Sequence, residues 1–206
     1  RKSWDDANNQ DGIRPTSITV RLEANGTEIA SKTLDASNQW TGTFDNLDKK
    51  ANGKNITYTV KEDFVDGYTT EITGNAKNGY LITNTHTPEK TNVKVNKIWN
   101  DANNQDGKRP TEVTVTLKGN NKFIQTITLN NQNGWTHTFS NLPKKEDGKN
   151  IDYTVEEANI GNGYAAEITT AEGVTNGYEY NITNNYTPKT VSINVTKKWD
   201  DQENQD

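Results

Sequence analysis

Three strand-like segments in the second half of the chain each carry one polar side chain that could take part in chemistry. These side chains are Lys97, Glu157 and Asn184. Successive side chains of a β-strand point to opposite faces, so each of the three shares a face with the residues two and four positions before it. Those residues are Val93, Val95, Tyr153, Val155, Tyr180 and Ile182. The pattern therefore predicts that a lysine, a glutamate and an asparagine all point towards an apolar core.

Two interpretations account for this pattern. Buried lysine and glutamate are costly unless they are paired, so the first is a buried ion pair of Lys97 and Glu157 beside Asn184. The second is chemical, because a desolvated lysine loses its proton and becomes a nucleophile. A desolvated glutamate holds its proton and can act as an acid and then as a base. The lysine could then attack the asparagine carboxamide, expel ammonia and leave an isopeptide bond. The three residues alone leave both interpretations open.

An internal repeat presents the same residue types twice. Residues 4–15 recur at 99–110 with ten of twelve positions identical, and the segment begins again at Trp199. Further matches at the same spacing of 95 residues are Trp40 with Trp135, Tyr58 with Tyr153, and Glu62 with Glu157. After small insertions, Asn84 matches Asn184.

The repeat predicts the domain organisation. Thr87-Pro88 and Thr187-Pro188 follow the last strand-like segment of each repeat, where proline ends a strand. We expect repeat 1 over 1–88, repeat 2 over 89–188, and the first strand and loop of an incomplete third repeat over 189–206. The short, proline-bearing link favours a semi-rigid, head-to-tail arrangement of the repeats.

Each repeat has an all-β pattern. Repeat 2 offers seven strand candidates rich in Val, Ile, Thr, Tyr and Trp, with turn signals at Asn133-Gly134 and Asn162-Gly163. The candidates are 92–99, 111–118, 122–130, 134–140, 150–157, 163–170 and 178–186. Seven short strands in roughly a hundred residues predict an immunoglobulin-like β-sandwich. Repeat 1 matches this pattern, and its expected core residues are Val20, Leu22, Trp40, Phe44, Tyr58 and Val60.

Composition narrows the possible functions. The 206 residues are only 29% hydrophobic, with a mean hydropathy of -1.04 and no apolar run long enough for a membrane span. The net charge of -5, with both signs interspersed, argues against nucleic-acid binding. There is no cysteine, and His86 and His137 occupy non-equivalent positions, so neither a metal nor a cofactor is expected. The chain begins at Arg1 and contains no methionine, which suggests a piece of a longer protein.

The repeated loops could be mistaken for calcium sites. Asn9-Gln10-Asp11-Gly12 and its counterpart 104–107 resemble part of an EF-hand loop. The pattern requires an acid where Ala7 and Ala102 stand, and a glutamate where Ile18 and Val113 stand. We therefore expect long turns whose Asx side chains bond to their own backbone.

The sequence resembles the B-type repeats of bacterial collagen adhesins, the Cna-B family. In repeat 2 the resemblance is carried by Lys97-x-Trp99 leading into Asn-Gln-Asp-Gly-Lys-Arg-Pro, by Trp135-Thr-His-Thr-Phe, by Tyr153-Thr-Val-Glu-Glu157, and by Ile182-Thr-Asn184 before Tyr186-Thr-Pro188. The same set runs through repeat 1, so the resemblance covers nearly the whole chain.

The resemblance implies a β-sandwich with a spontaneous Lys–Asn isopeptide bond that an acid promotes. In repeat 2, Lys97 and Asn184 would be joined with Glu157 as the proton shuttle. In repeat 1 the corresponding residues would be Lys2, Asn84 and Glu62. The family also implies a stalk segment of a cell-wall-anchored protein at the surface of a Gram-positive bacterium.

Two features depart from the family pattern. Only Arg1 and Lys2 precede Ser3-Trp4 in repeat 1, so we expect Lys2 to be held less firmly than Lys97. Residues 191–197 form a first-strand pattern with no domain to complete. We expect this segment to pack as an added edge strand against repeat 1 of a neighbouring molecule.

The leading functional hypothesis is structural, and its partners are the neighbouring repeats of the same protein. The cross-linking reaction would occur once per domain without an external substrate, so the chain is not expected to be an enzyme. The alternative is a module that binds host matrix or glycan directly, which predicts an exposed aromatic or charged patch in one repeat. A third possibility, an accessory domain of a secreted enzyme, lacks a catalytic constellation in the sequence.

Overall fold

In the computed structural model, residues 1–158, 160–171 and 177–200 are described. These parts of the chain are built almost wholly from β-strands, as the sequence predicts. Their contacts form two compact units, Arg1–Asn92 with Ser140–Asp152, and Val93–Phe139 with Tyr153–Asp206. Within the described ranges, the single helical segment is a 3-10 turn at Asn131–Asn133, and no helix is long and apolar enough to cross a membrane.

Eight strands form within repeat 1. They are β1 (Lys2–Asp5), β2 (Ser17–Ala24), β3 (Thr27–Asp35), β4 (Lys50–Ala51), β5 (Lys54–Asn55), β6 (Tyr58–Glu62), β7 (Thr69–Asn75) and β8 (Gly79–Thr85). One sheet has the order β3-β2-β6 and the other β1-β8-β7, while β4 and β5 pair as a short hairpin. The first and last strands, β1 and β8, lie side by side and run parallel.

Nine strands lie in the described part of repeat 2. They are β9 (Lys90–Asn100), β10 (Glu112–Gly119), β11 (Lys122–Asn130), β12 (Thr136–Pro143), β13 (Lys145–Glu146), β14 (Lys149–Asn150), β15 (Tyr153–Glu157), β16 (Ala165–Thr170) and β17 (Tyr178–Asn185). The two sheets have the orders β11-β10-β15 and β12-β9-β17-β16. The first and last strands, β9 and β17, are again parallel neighbours.

The cores consist of inward-facing residues of the two sheets in each repeat. In repeat 1 the buried apolar residues include Ile18, Val20, Leu22, Leu34 and Ile82. Trp40, Phe44 and Val60 are partly buried and pack against this cluster, while Tyr58 is also partly buried. In repeat 2 the buried apolar residues include Val93, Val95, Val113, Val115, Leu117, Leu129, Tyr153, Val155 and Ile182.

The seven strands predicted for repeat 2 are confirmed, with ends that differ by at most three residues. The hairpin of β13 and β14 was not predicted, because two-residue strands carry too short an alternation to recognise. The prediction that repeat 1 has the same strands is wrong at 41–45, which lacks strand structure. In repeat 2 the matching strand β12 lies beside the eleven-residue β9, whereas β1 has four residues and provides a much shorter edge.

The segment that follows repeat 2 forms no strand over 187–200. Val191, Ile193 and Val195 are each more than four-fifths exposed. Packing of 191–197 onto a neighbouring molecule stays a prediction, and residues 201–206 of the expected third repeat lie outside the described residues.

Candidate functional site: two buried lysine–glutamate–asparagine clusters

The alternation of β9 carries Lys97 into the interior, as predicted. Val93 and Val95 are fully buried on the same face, while Ile98 on the other face is 43% exposed. The Lys97 side chain has no solvent exposure, and its Nζ lies 3.6 Å from Oε1 of Glu157 on β15. Nζ also donates hydrogen bonds to the carbonyl oxygens of Ile98 and Ile182, at 3.0 and 3.1 Å. The amine is therefore held between the strand that carries it and the last strand.

Asn184 on β17 completes the cluster in repeat 2. The parallel register sets Ile182 beside Lys97 and Asn184 beside Trp99, so Asn184 is one inward-facing position further along than the lysine. Asn184 is fully buried. Within the part of the chain that the structure describes, neither its amide nitrogen nor its oxygen has a hydrogen-bond partner, and neither does Oε1 of Glu157. Leaving such groups buried without partners costs free energy, so the arrangement is not explained by stability.

Repeat 1 contains the same cluster. Lys2 Nζ lies 3.4 Å from Oε1 of Glu62, with 0% and 1% of the two side chains exposed. Asn84 is fully buried, is aligned with Trp4, and also has an unpartnered amide within the described residues. A difference is Thr70, whose hydroxyl donates to Oε2 of Glu62 at 2.9 Å.

That Lys2 is held less firmly than Lys97 stays a prediction. Lys2 Nζ donates to the Ser3 carbonyl at 3.3 Å, whereas Lys97 Nζ has two shorter bonds. The burial and the backbone contacts of the two lysines nevertheless agree. The Lys2 side chain is as fully enclosed as that of Lys97. In both repeats the lysine backbone N–H donates to a tryptophan carbonyl at 2.8 Å, Trp40 for Lys2 and Trp135 for Lys97. Pairing of β1 with β8 therefore fixes the backbone of Lys2 although β1 is short.

Burial lowers the pKa of both lysine amines. Desolvation lowers the pKa of Lys97 from its ordinary value to about 8, although the neighbouring Glu157 carboxylate acts in the opposite direction. Desolvation likewise lowers the pKa of Lys2 to about 8, against the attraction of Glu62. A lower pKa increases the neutral, nucleophilic fraction of each amine near neutral pH.

A cluster around each loop carboxylate was not singled out in the sequence. Asp101 is 2% exposed and receives two hydrogen bonds from Arg109, Nε to Oδ2 at 2.9 Å and Nη2 to Oδ1 at 2.6 Å. It also accepts from the Tyr164 hydroxyl at 2.9 Å, and the Arg109 bonds hold its pKa far below the ordinary range. Asp6, Arg14 and Tyr68 repeat this arrangement. The signal available in the sequence was the retention of all three residue types in both repeats.

The loops are closed by their own side chains, as expected. Asp101 Oδ1 accepts from the Asn104 N–H, and Asn104 Oδ1 accepts from the Arg109 N–H, each at 2.9 Å. Asn9 and Asp6 make the same bonds in repeat 1. Among the described residues, no group of three or more His, Cys, Asp or Glu side chains is arranged to hold a metal ion.

One histidine takes part in the loop structure of repeat 1. His86 bonds through Nε2 to Oδ2 of Asp11 and through Nδ1 to the Gly67 carbonyl, both at 2.9 Å. The same Asp11 oxygen accepts from the Glu89 N–H at 2.9 Å. In repeat 2, Tyr186 and the Lys189 N–H donate to Asp106 in the same way, at 2.8 and 3.1 Å. A carboxylate thus fixes the segment after the last strand of each repeat, with partners that differ in their response to pH.

Comparison with known proteins gives one family match in each of the two repeats. The family model of the Cna protein B-type domain matches twice, over residues 1–85 and 93–185. A collagen adhesin of Staphylococcus aureus is 44% identical over 208 residues, which cover this whole chain but only 17% of that protein. The crystal structure of two B repeat units (B1B2) of the S. aureus collagen binding protein has a TM-score of 0.77 and 41% identity. That match covers 91% of this chain and 48% of the other.

Proposed function

Because the chain belongs to the family of Cna protein B-type domains, we propose that it is a stalk segment of a bacterial surface adhesin whose repeats cross-link themselves. The adhesin would be anchored in the cell wall of a Gram-positive bacterium, outside the cell. The observation that carries the proposal is the enclosed lysine–glutamate pair beside an asparagine amide that has no hydrogen-bond partner among the described residues, present in both repeats. A structural ion pair alone would leave the burial of the asparagine unexplained.

The reaction joins Lys97 to Asn184 within repeat 2. The neutral amine attacks Cγ of Asn184, forming an N–C bond and a tetrahedral centre. Glu157 accepts a proton from the attacking nitrogen and delivers one to the departing amide nitrogen. The C–Nδ2 bond then breaks and ammonia leaves. Lys2, Glu62 and Asn84 take the same roles in repeat 1.

The proposed bond ties the first strand of each repeat to the last. The reaction that forms this bond occurs once in each domain and uses no external substrate, so we propose no enzymatic activity. The repeat boundaries are proposed at 88 and 188, with the neighbouring repeats of the same protein as partners. Contact of 191–197 with another molecule is a further proposal, supported by the exposure of its alternating Val191, Ile193 and Val195.

Intact mass measurement of the purified chain tests the cross-links. A deficit of two ammonia molecules is expected, and a proteolytic digest should contain one branched peptide joining 97 to 184 and another joining 2 to 84. A deficit of one ammonia would limit the reaction to a single repeat. No deficit would leave two buried ion pairs and would contradict the proposal.

The alternative function is direct binding to host matrix or glycan. The tryptophans within the repeats do not support it, because Trp4, Trp40, Trp99 and Trp135 recur at matched positions and are partly buried. A pull-down against matrix proteins separates the two functions. Specific, saturable capture by this chain would favour the binding module over the stalk.

A further inference from the structure

An indole face lies against the amine in both clusters. Lys97 Nζ is 4.1 Å from the ring centroid of Trp99, and Lys2 Nζ is 4.2 Å from that of Trp4. An aromatic face attracts an ammonium group, and it also accepts the weaker N–H contact of a neutral amine. The indole can therefore act on Lys97 both before and after the amine loses its proton.

The Trp99 ring is itself fixed from several sides. Trp135 and Tyr164 meet it edge to face, with centroid distances of 5.2 and 5.3 Å. The Arg109 guanidinium carbon lies 5.3 Å from the same centroid, and Asp101 bonds to both Arg109 and Tyr164. The buried carboxylate thus orders two of the groups that surround the indole.

The corresponding contacts of Trp4 in repeat 1 agree closely. The Trp4 centroid lies 5.2 Å from that of Trp40, 5.0 Å from that of Tyr68, and 5.4 Å from the Arg14 guanidinium carbon. Each of these distances is within 0.3 Å of its counterpart in repeat 2.

The edge-to-face tryptophan is held in an unfavourable backbone conformation. Trp135 has φ of 59° and Trp40 has φ of 56°, in the left-handed region that bulky residues rarely adopt. In repeat 1 the preceding Gln39 is also left-handed, with φ of 55°, where repeat 2 has Gly134. The conformation thus persists without the glycine that would make it easy. Each left-handed tryptophan uses its carbonyl to accept the lysine backbone N–H, and its ring meets Trp4 or Trp99 edge to face. Backbone strain of this kind is found where a site must be held in place.

We propose that Trp99 and Trp4 are positioning residues for the cross-linking reaction, each confining the lysine amine near the asparagine that is its own register partner on the last strand. This inference rests on the proposed function. A lysine side chain has four rotatable bonds, and the reaction needs its nitrogen at one place beside the Asn184 carbon. The cluster of Asp101, Arg109 and Tyr164 fixes the indole, and so acts on the amine through it.

The test compares Trp99→Phe with Trp99→Leu in the full chain. Both replacements remove volume, but Phe keeps an aromatic face and Leu does not. The chain is made by cell-free translation with a pulse of labelled isoleucine, which lies near the lysine and the asparagine of both repeats, chased at constant pH, and quenched in detergent at intervals. Loss of ammonia from each repeat is followed by mass spectrometry of the digest. Repeat 1 in the same molecule provides the internal standard.

We expect Trp99→Leu to slow cross-linking of repeat 2 about tenfold or more, because displacement of a reacting atom by an ångström is that costly. Trp99→Phe should restore the rate to within about threefold of the parent. Leu129→Ala is the matched control, since it removes most of a fully buried core side chain on β11, whose register partner is Val113, and should destabilise the same repeat without slowing the reaction. Asp101→Asn keeps the size of the side chain but weakens its bonds to Arg109. Its cross-linking rate should therefore lie between those of the parent chain and Trp99→Leu.

The outcomes separate the two proposals. A parent chain that never loses ammonia would overturn the proposed function and this inference with it. A parent that cross-links while Trp99→Leu reacts equally fast would overturn the positioning role alone. Equal slowing by Phe and Leu would also overturn it, because packing volume rather than the aromatic face would then control the rate. If Trp99→Leu does not fold, an unchanged rate in Asp101→Asn would show that the cluster of Asp101, Arg109 and Tyr164 does not act on the amine, and would overturn the inference.

Discussion

Replacing Asn184 by Ala should remove one cross-link and lower the stability of repeat 2 alone. The proposed bond between Lys97 and Asn184 closes a loop of about 90 residues. In the chain-entropy treatment used for disulfides, such a loop stabilises the folded state by about 4.6 kcal/mol. Removal of the amide group itself should add little, because the Asn184 amide has no hydrogen-bond partner among the described residues. The Lys97–Glu157 pair would remain buried without the bond, which adds to the loss.

For a domain of this size, each kcal/mol shifts Tm by about 4 to 8 °C, so the expected fall is about 20 to 35 °C. Differential scanning calorimetry of Asn184→Ala should show one early transition for repeat 2 and an unchanged one for repeat 1. Intact mass should show one ammonia lost instead of two. Asn185→Ala is the control, since Asn185 follows on the same strand and its side chain accepts a bond from Asn100 at an exposed position. It should keep both cross-links and move Tm by a few degrees at most.

If the Tm of repeat 2 falls by less than about 5 °C in Asn184→Ala while the chain loses one ammonia instead of two, the loop-closure argument is refuted. The bond would then exist without supplying the stability expected of a covalent tie between the terminal strands. A large fall without any change in mass would instead indicate that Asn184 stabilises the repeat through packing.

Three further predictions concern the shuttle, the loop histidine and the core. Glu157→Gln should abolish the cross-link of repeat 2 and leave that of repeat 1, and an unchanged mass deficit would exclude Glu157 as the proton shuttle. Asp11 raises the pKa of His86, so their bond stabilises repeat 1 fully below the ordinary histidine pKa and is lost as pH rises through the raised one. Burial acts to raise the pKa of Asp11, but its bonds from His86 and the Glu89 N–H outweigh this and lower it, so the same bond is lost again as pH falls through that depressed pKa. Calorimetry should therefore show the Tm of repeat 1 falling by a few degrees as pH rises from about 6 through the raised pKa of His86, and His86→Tyr, which copies Tyr186 of repeat 2, should remove this dependence. Leu129→Ala should cost about 2 to 5 kcal/mol through the cavity it leaves, seen as a lower Tm of repeat 2 with both ammonia losses retained.

The strands and the phase of the buried polar residues could be predicted because both follow from local alternation. Lys97 faces inward with Val93 and Val95, and Asn184 faces inward with Ile182, as a period of two requires. The internal repeat supports the same prediction twice, because the lysine, glutamate and asparagine recur among different neighbouring residues in the two repeats. Periodicity alone could not decide which strands are adjacent. The parallel pairing of β9 with β17, which brings lysine and asparagine to neighbouring strands, depends on contacts far apart in sequence.

The left-handed tryptophans and the buried carboxylates lay beyond this reasoning. Asp101 is in a loop rich in Asn, Asp and Gly, where a solvated turn residue is the ordinary expectation, and its burial depends on Arg109 and Tyr164 reaching it. Trp135 follows Asn133-Gly134, which marks a turn but gives no sign that the residue after the glycine is also left-handed. Such features are stabilised by tertiary contacts, and local propensity runs against them.

The parallel placement of the first and last strands gives the proposed bond its mechanical meaning. Load applied to the two ends of repeat 2 enters through β9 and leaves through β17, so it shears the ladder between these neighbours. Without a covalent tie, only backbone hydrogen bonds and packing oppose that shear. With Lys97 joined to Asn184, the load passes from one strand to the other through the bond, and the residues between 97 and 184 carry none of it. The buried lysine, glutamate and asparagine weaken the core as side chains, and this cost is offset only if the reaction converts them into that tie.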